Sequence, residues 1–277
     1  MTKGRLSKKV LGDFLESECE RQLFLSLGKN RKNWGLENYD IEKLERERVA
    51  NYIIQIGKEY EQKVYKKIEN SAPPCLNINQ IREQKNAPAQ LTKSFLLNIY
   101  DKFAKNPNLK ECCLLEYDFE TPESCIRDLF QLETLQQRDK EYELPTNYSH
   151  TLRPDIILIG NKKSYEKNSI GKVLDEKKPI LMRDSDGKIR KVPKSIRNAQ
   201  LGINIIDVKA TREEKIGKRH FFEIIFYWKA LTRFLEENGL NNKFYVRVDN
   251  NGIFSGYNDL SELKGTNIRE WIVELPF

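Results

Sequence analysis

The sequence predicts an α/β fold in which helices flank a central mixed β-sheet. Three observations favour this class: long helical segments come first, short apolar segments typical of buried strands follow, and one strongly apolar helix interrupts the strands. The chain has 277 residues and 10% aromatic residues, enough to build one sizeable core. We therefore expect a single domain over residues 1–277, with a helical part at 1–108 and a sheet-containing core at 109–277.

Apolar residues recur at helical spacing in three segments of the first part of the chain. This periodicity predicts helices at about 6–27, 41–69 and 91–104. The first is expected to end at Gly28, because glycine commonly terminates helices. The polar stretch at 121–149 predicts a short helix and loops.

Short apolar runs predict the strands of the sheet. They lie at 112–119, 156–159, 203–208, 243–248, 252–255 and 271–275. The segments 243–248 and 252–255 flank an Asn-Asn-Gly sequence, which predicts a β-hairpin. An apolar helix is predicted at 220–237, between the third and fourth of these strands.

Composition excludes several classes of protein. No apolar run approaches the roughly 18–20 residues of a membrane-spanning helix, and the N-terminus lacks the apolar stretch of a signal peptide, so we expect a soluble, cytoplasmic protein without membrane partners. The five cysteines include no Cys-x-x-Cys pair, which favours small buried side chains over a disulfide framework or zinc site. With only two histidines, a metal would be held by carboxylates, which favours Mg²⁺ or Mn²⁺.

Positive charge is concentrated in residues 161–200, an insertion between two predicted strands. This segment contains twelve Lys or Arg and five Asp or Glu, so its excess of +7 equals the net charge of the whole chain. It includes a hairpin pattern around Asp186-Gly187. Such an excess predicts either contact with a polyanion or a solvated insertion. The basic residues expected to bind nucleic acid are Lys188, Arg190, Lys191, Lys194 and Arg197.

Charged residues stand at the ends of two consecutive apolar strands. Asp155 directly precedes Ile-Ile-Leu-Ile, and Asp207 ends Ile-Asn-Ile-Ile. Lys209 lies two residues after Asp207, so the two side chains share one side of the strand. Because buried charges are costly without partners, these residues either form a structural Asp–Lys pair or bind a ligand. On the second interpretation, the two carboxylates bind a divalent cation and Lys209 orients or activates a water molecule for phosphodiester hydrolysis.

The motifs Arg-Pro-Asp at 153–155 and Asp-Val-Lys at 207–209 resemble those of the PD-(D/E)XK nuclease superfamily. Flanking segments resemble its RecB-like branch. These are Ile-Gly-Lys-Glu-Tyr-Glu at 56–61, Glu-x-x-x-Tyr at 223–227 and an early Cys-x-Arg at 19–21. Together the motifs extend over about residues 10–237, in the order that the branch has.

The resemblance implies a restriction-endonuclease-like core and a divalent-metal-dependent nuclease with DNA as the favoured substrate. The basic insertion would lie between the two catalytic strands, leaving and re-entering them close to the phosphate backbone of the substrate. Glu61 best matches the motif carboxylate on the helix, with Glu59 as the alternative register. Glu61, Asp155 and Asp207 would then hold the metal, with the Val208 carbonyl as an additional ligand.

A polar stripe on the last predicted helix extends this implied site. His220, Glu223 and Tyr227 lie at i, i+3 and i+7, so they share one helix face. The resemblance implies that Glu223 and Tyr227 support catalysis, whereas the simpler interpretation is that His220 caps the helix and Tyr227 packs in the core. Glu223 replaces the glutamine common in the branch, and it can bind metal or pair with Lys209.

Two further expectations follow from the resemblance. Some relatives bind an iron–sulfur cluster through later cysteines, but this chain has none after Cys125, so no cluster is expected. Such nucleases act in phage defence, mobile elements or repair, often beside a helicase or ATPase, which makes a protein partner of that kind an expectation. The alternative to a nuclease is a catalytically silent module that binds nucleic acid or scaffolds a larger complex. A small-molecule nucleotide enzyme lacks support, because the chain has neither phosphate-loop pattern.

Overall fold

A computed structural model describes residues 40–70, 75–77, 90–125, 151–161, 181–183, 188–191, 201–247, 251–256, 260–261, 263 and 272–274. Its long helices are α1 (Asp40–Glu69), α2 (Lys93–Lys105) and α3 (Lys218–Glu237). All three were predicted from apolar periodicity, to within two residues at each end. The predicted helix at 6–27 lies outside the described residues, as does most of 121–149.

The strands form one large mixed sheet and two small ones. The large sheet contains β1 (Cys75–Asn77), β2 (Glu111–Leu115), β5 (Ile156–Gly160), β8 (Leu201–Lys209), β9 (Phe244–Val246), β10 (Gly252–Ser255) and β11 (Ile272–Glu274). Its order is β1-β2-β5-β8-β10-β11, with β9 also paired to β8. The short pairs are β3 (Phe119–Glu120) with β4 (Thr151–Leu152), and β6 (Leu181–Arg183) with β7 (Ile189–Lys191). The predicted α/β class with a central mixed sheet is therefore confirmed.

The predicted hairpin over 243–255 is wrong. Both β9 and β10 run parallel to β8: β9 pairs with its first residues, at Leu201–Ile203, and β10 with its last, at 206–209. The two strands thus form one interrupted neighbour of the nine-residue β8. Asn251 fills the interruption, because its side-chain oxygen accepts a 2.7 Å hydrogen bond from Ile205 N and its amide donates to Arg247 O at 2.6 Å. Asn251 therefore satisfies a backbone donor of β8, and the chain that follows it continues parallel to β8.

Both faces of the large sheet are covered, so its strands are apolar on both sides. On β8, Ile203 and Ile205 pack in the cluster that contains α2 and α3, and Ile206 and Val208 pack in the cluster that contains α1. Three cysteines, Cys112, Cys113 and Cys125, are buried thiols, as predicted.

The strand predicted at 112–119 is interrupted. β2 ends at Leu115, and Glu116 adopts a left-handed backbone conformation with φ of 56°. A non-glycine residue in that region is uncommon and costs conformational energy. The chain therefore turns at Glu116, before the short strand β3.

The antiparallel pairing of β5 with β8 determines which residues meet at each end of the sheet. Ile156 lies opposite Ile206, and Gly160 lies opposite Gly202. We call the end near Asp155 and Asp207 the carboxylate end, and the end near the two glycines the glycine end. The insertion at 161–200 leaves β5 and enters β8 at the glycine end, where β6 contacts β9.

This placement corrects one expectation. The insertion was expected to leave and re-enter the strands beside the carboxylates, near the bound phosphates. Consecutive antiparallel strands instead put the connection at the opposite end of the pair. The hairpin predicted within the insertion is confirmed, with Met182 opposite Arg190. Among the described residues, none of the helices has the length and apolar character needed to span a membrane.

Candidate active site

A half-buried and a buried carboxylate, Asp155 and Asp207, lie opposite each other at the carboxylate end. Continuing the register of Ile156 with Ile206 by one residue brings Asp155 opposite Asp207. Asp207 is fully buried, and Asp155 Oδ2 accepts a 2.6 Å hydrogen bond from Val208 N. Burial raises the pKa of Asp155 well above its usual range, and the negative charge of Asp207 raises it further. Like charges directly opposite each other destabilise a sheet, so this pair is a feature that folding alone does not favour.

Lys209 lies beside this pair and connects it to α3. As predicted from its position two residues along β8, it forms an ion pair with Asp207, and its Nζ lies 3.2 Å from Glu223 Oε2. Burial opposes the charge of this ammonium, but Asp207 and Glu223 together raise its pKa above the usual value. Lys209 is therefore a cation in this arrangement, suited to orienting an anion or stabilising negative charge.

Helix α1 brings Glu61 to the same end of the sheet. The Tyr60 hydroxyl donates a 2.8 Å hydrogen bond to Ser255 O, and Ser255 is the register partner of Lys209. Burial raises the pKa of Glu61, Lys209 lowers it and Asp207 raises it, so the three charges interact. Glu59, the alternative register, is exposed and accepts a hydrogen bond from Gln55. The geometry favours Glu61 as the member of the site.

Glu116 is a site residue that the sequence analysis missed. Its N–H donates a 2.9 Å hydrogen bond to Asp155 O, and its charge raises the pKa of Glu61. An acidic residue that ends an apolar strand is the same signal that identified Asp155 and Asp207, but it was not applied to β2. We call Glu61, Glu116, Asp155 and Asp207 the acidic cluster.

The three residues of the polar stripe on α3 make different contacts and have different roles. His220 caps the helix, because Gly217 N donates to His220 Nδ1 at 3.2 Å, which was the simpler of its two interpretations. Tyr227 donates a 2.8 Å hydrogen bond to Arg153 O and thus holds the segment that precedes Asp155. Of the three residues, Glu223 is the one that pairs with Lys209.

Arg153 is fixed beside the acidic cluster by Asp118. Its Nε and Nη2 atoms donate to the two carboxylate oxygens of Asp118 at 2.5 and 3.1 Å, while 46% of its side chain remains exposed. This two-point contact determines the orientation of the guanidinium group. The Asp118 hydrogen bond, opposed by burial, raises the pKa of Arg153.

The basic residues predicted to bind nucleic acid lie elsewhere. Lys188, Arg190 and Lys191 are exposed on or beside β7, in the insertion attached at the glycine end. Lys194 and Arg197 lie outside the described residues.

The carboxylates of Glu61, Asp155 and Asp207 supply the oxygen ligands that a hard divalent cation prefers. Two of them, Asp155 and Asp207, form the like-charge pair at the carboxylate end. In the part of the chain that the structure describes, however, no three His, Cys, Asp or Glu side chains are grouped as a metal-binding set. The side chains are arranged around the Lys209 ammonium, which contacts Asp207 and Glu223. A cation bound to Asp207 would take over part of the charge neutralisation that Lys209 provides.

No protein-family model, curated protein or solved structure matches this chain. The functional argument therefore depends on the geometry of the acidic cluster and Lys209.

Proposed function

We propose that this protein is a divalent-metal-dependent nuclease that hydrolyses phosphodiester bonds, with DNA as the favoured substrate and a restriction-endonuclease-like core. The observation that carries the proposal is the pair formed by the half-buried Asp155 and the fully buried Asp207, opposite each other on adjacent strands and beside Lys209. Folding alone disfavours two carboxylates in this position, whereas a cation stabilises them.

Different residues of the chain would have different roles in such a reaction. Glu61, Asp155, Asp207 and the Val208 carbonyl would hold Mg²⁺ or Mn²⁺, which supplies charge stabilisation and an acidified water when bound. Lys209 orients the attacked phosphate and stabilises its developing charge. Glu223 holds Lys209 in place through their 3.2 Å contact, and Tyr227 positions the segment before Asp155 through Arg153 O.

In this proposal the exposed lysines and arginine of the insertion bind nucleic acid and take no part in the cleavage step. Lys188, Arg190 and Lys191 are solvent-exposed, as expected of side chains that contact phosphates and release counterions. Their attachment at the glycine end assigns them to a part of the nucleic acid distant from the cleaved bond. A helicase or ATPase partner belongs to the same proposal, because the chain itself carries no phosphate-loop motif.

A second candidate function has one observation in its favour. The described carboxylates are organised around Lys209 and are not grouped as a metal site, which is also what a catalytically silent nucleic-acid-binding module would have. The two candidates differ in one respect: only the nuclease requires Asp207 and Lys209 for a chemical step.

Cleavage assays on supercoiled plasmid and on labelled single strands test the proposal, with Mg²⁺, Mn²⁺ or EDTA. Wild-type protein is compared with Asp207→Ala and Lys209→Ala, and Lys215→Ala serves as the matched control because Lys215 is exposed on the following turn. We expect cation-dependent cutting in the wild type and the control, and none in the two site variants. Salt-sensitive binding without cutting would favour the silent module, and cutting that survives both site substitutions would refute the site.

A further inference from the structure

Tyr65 on helix α1 is a buried phenol in the apolar cluster that also contains Ile206 and Val208 of the carboxylate end. It lies one helical turn after Glu61 and is fully buried, between Val64 and Ile68, in the cluster that packs α1 on the sheet. Long helical side chains lean towards the N-terminus of their helix, which directs Tyr65 towards Glu61. Among the described residues, its hydroxyl has no hydrogen-bond partner.

The surroundings of this hydroxyl are acidic. Burial raises the pKa of Tyr65, and the charges of the whole acidic cluster, with Asp155 foremost, raise it further. A buried hydroxyl without a partner is a hydrogen-bond donor for a carboxylate that comes within reach, and Glu61 lies one helical turn away on α1.

A buried hydroxyl without a partner opposes folding, and phenylalanine would fill the same space without that cost. Tyr60, five residues earlier on α1, shows how a tyrosine hydroxyl is usually satisfied in a protein interior, because it donates a hydrogen bond to Ser255 O. We propose that the Tyr65 hydroxyl is a positioning donor of the candidate active site, which hydrogen-bonds Glu61 or Glu116 when the cation and the substrate are bound. This inference rests on the proposed nuclease activity.

The substitution Tyr65→Phe tests the inference in the full-length chain. We expect kcat for cleavage to fall about 10- to 100-fold, the rate equivalent of one hydrogen bond to a charged group, with KM little changed. The urea midpoint of unfolding should stay the same or rise, because the variant no longer buries a hydroxyl without a partner. A residue that only packs would leave kcat unchanged, and its midpoint would also stay the same or rise, so kcat is the deciding measurement.

Tyr245→Phe is the matched control. Tyr245 is also buried in the large sheet, but it lies opposite Gly202 at the glycine end. We expect its kcat to equal that of the wild type.

A double-mutant cycle identifies the acceptor. Tyr65→Phe is combined with Glu61→Gln and, separately, with Glu116→Gln, and kcat is measured for each single and double variant. Non-additive effects with either glutamate support the inference. A wild-type kcat in Tyr65→Phe, or strictly additive effects with both glutamates, overturns it and leaves the nuclease proposal intact. Absence of cutting by the wild type overturns the nuclease proposal itself, and this inference with it.

Discussion

The two ends of the β5–β8 pair differ in whether their charged side chains are enclosed by protein or exposed to solvent. At the carboxylate end, Asp207 is fully buried opposite the half-buried Asp155, and Lys209 is largely enclosed. At the glycine end, Gly160 and Gly202 lie opposite each other, and the cations of the attached insertion are exposed. Burying charge is costly, whereas exposing it is nearly free. The buried carboxylates are therefore much stronger evidence of a site than the larger number of exposed lysines and arginines.

The ends are also separated by a measurable length. Asp155 and Gly160 are five residue steps apart along the chain, which corresponds to about 17 Å along a strand. A nucleic acid that contacts both ends must span about five nucleotides at the usual 3.4 Å spacing. In the proposed nuclease, the chemical step and the basic contacts would therefore act on different parts of one substrate.

The largest expected effect separates two glutamates on the same helix. Glu61→Gln should lower kcat about 100- to 1,000-fold, since it removes a charge from the centre of the site. Glu59→Gln should leave kcat unchanged, because Glu59 is exposed and bonded to Gln55. Steady-state cleavage of plasmid DNA measures both, and equal effects of the two substitutions would contradict the assignment of Glu61.

A smaller effect is expected at the glycine end. Changing Lys188, Arg190 and Lys191 together to Gln should weaken DNA binding and reduce the slope of log affinity against log salt by up to about 3, roughly one unit for each lost phosphate contact. On a substrate of three or four nucleotides the same variant should bind like the wild type, because such a substrate cannot reach both ends. Fluorescence anisotropy at several salt concentrations measures this.

The control for this triple variant changes Lys93, Lys102 and Lys105 to Gln, three exposed lysines on α2. It removes the same charge from another surface. If control and test variants lose affinity equally, the insertion has no specific role in binding.

A still smaller effect is expected from Tyr227→Phe, which removes the hydrogen bond to Arg153 O. The loss of one such bond costs about 1 kcal/mol, which corresponds to about five- to tenfold in rate if it displaces Asp155. We expect a lower kcat and a slightly lower free energy of unfolding, measured by cleavage and urea titration. A change in stability alone would make Tyr227 a core tyrosine, as its simpler interpretation has it.

Local signals in the sequence predicted the elements that position the site. Apolar periodicity located α1 and α3, and apolar runs located β5 and β8. The pair Asp207 and Lys209 followed from strand alternation, because two residues apart on a strand means one common face. Each of these inferences needs only neighbouring residues.

Pairing between distant segments could not be predicted in this way. The Asn-Asn-Gly sequence at 250–252 locally favours a hairpin, but β8 is long enough to accept β9 and β10 one after the other as parallel neighbours. The direction of β5 against β8, which decides where the insertion attaches, is likewise absent from the local pattern. In the sequence, Tyr65 on α1 cannot be distinguished from any other core tyrosine. The structure distinguishes it, because its buried hydroxyl has no hydrogen-bond partner among the described residues.

The smallest expected effect concerns stability and comes from Asp155. Its pKa is raised by burial and by Asp207, so the folded state favours the protonated carboxyl. The resulting stabilisation is complete below the unfolded pKa of about 4 and is lost as pH rises through the raised folded value. In EDTA, Asp155→Asn removes this repulsion and keeps an oxygen that accepts from Val208 N. We expect the variant to match the wild type at acidic pH and to exceed it by about 1 kcal/mol near pH 8. Urea titrations across pH measure this, with Asp101→Asn on the exposed face of α2 as the control. A variant less stable than the wild type at pH 8 would mean that Asp155 serves the fold, and the contrast between the two ends of the sheet would lose its functional meaning.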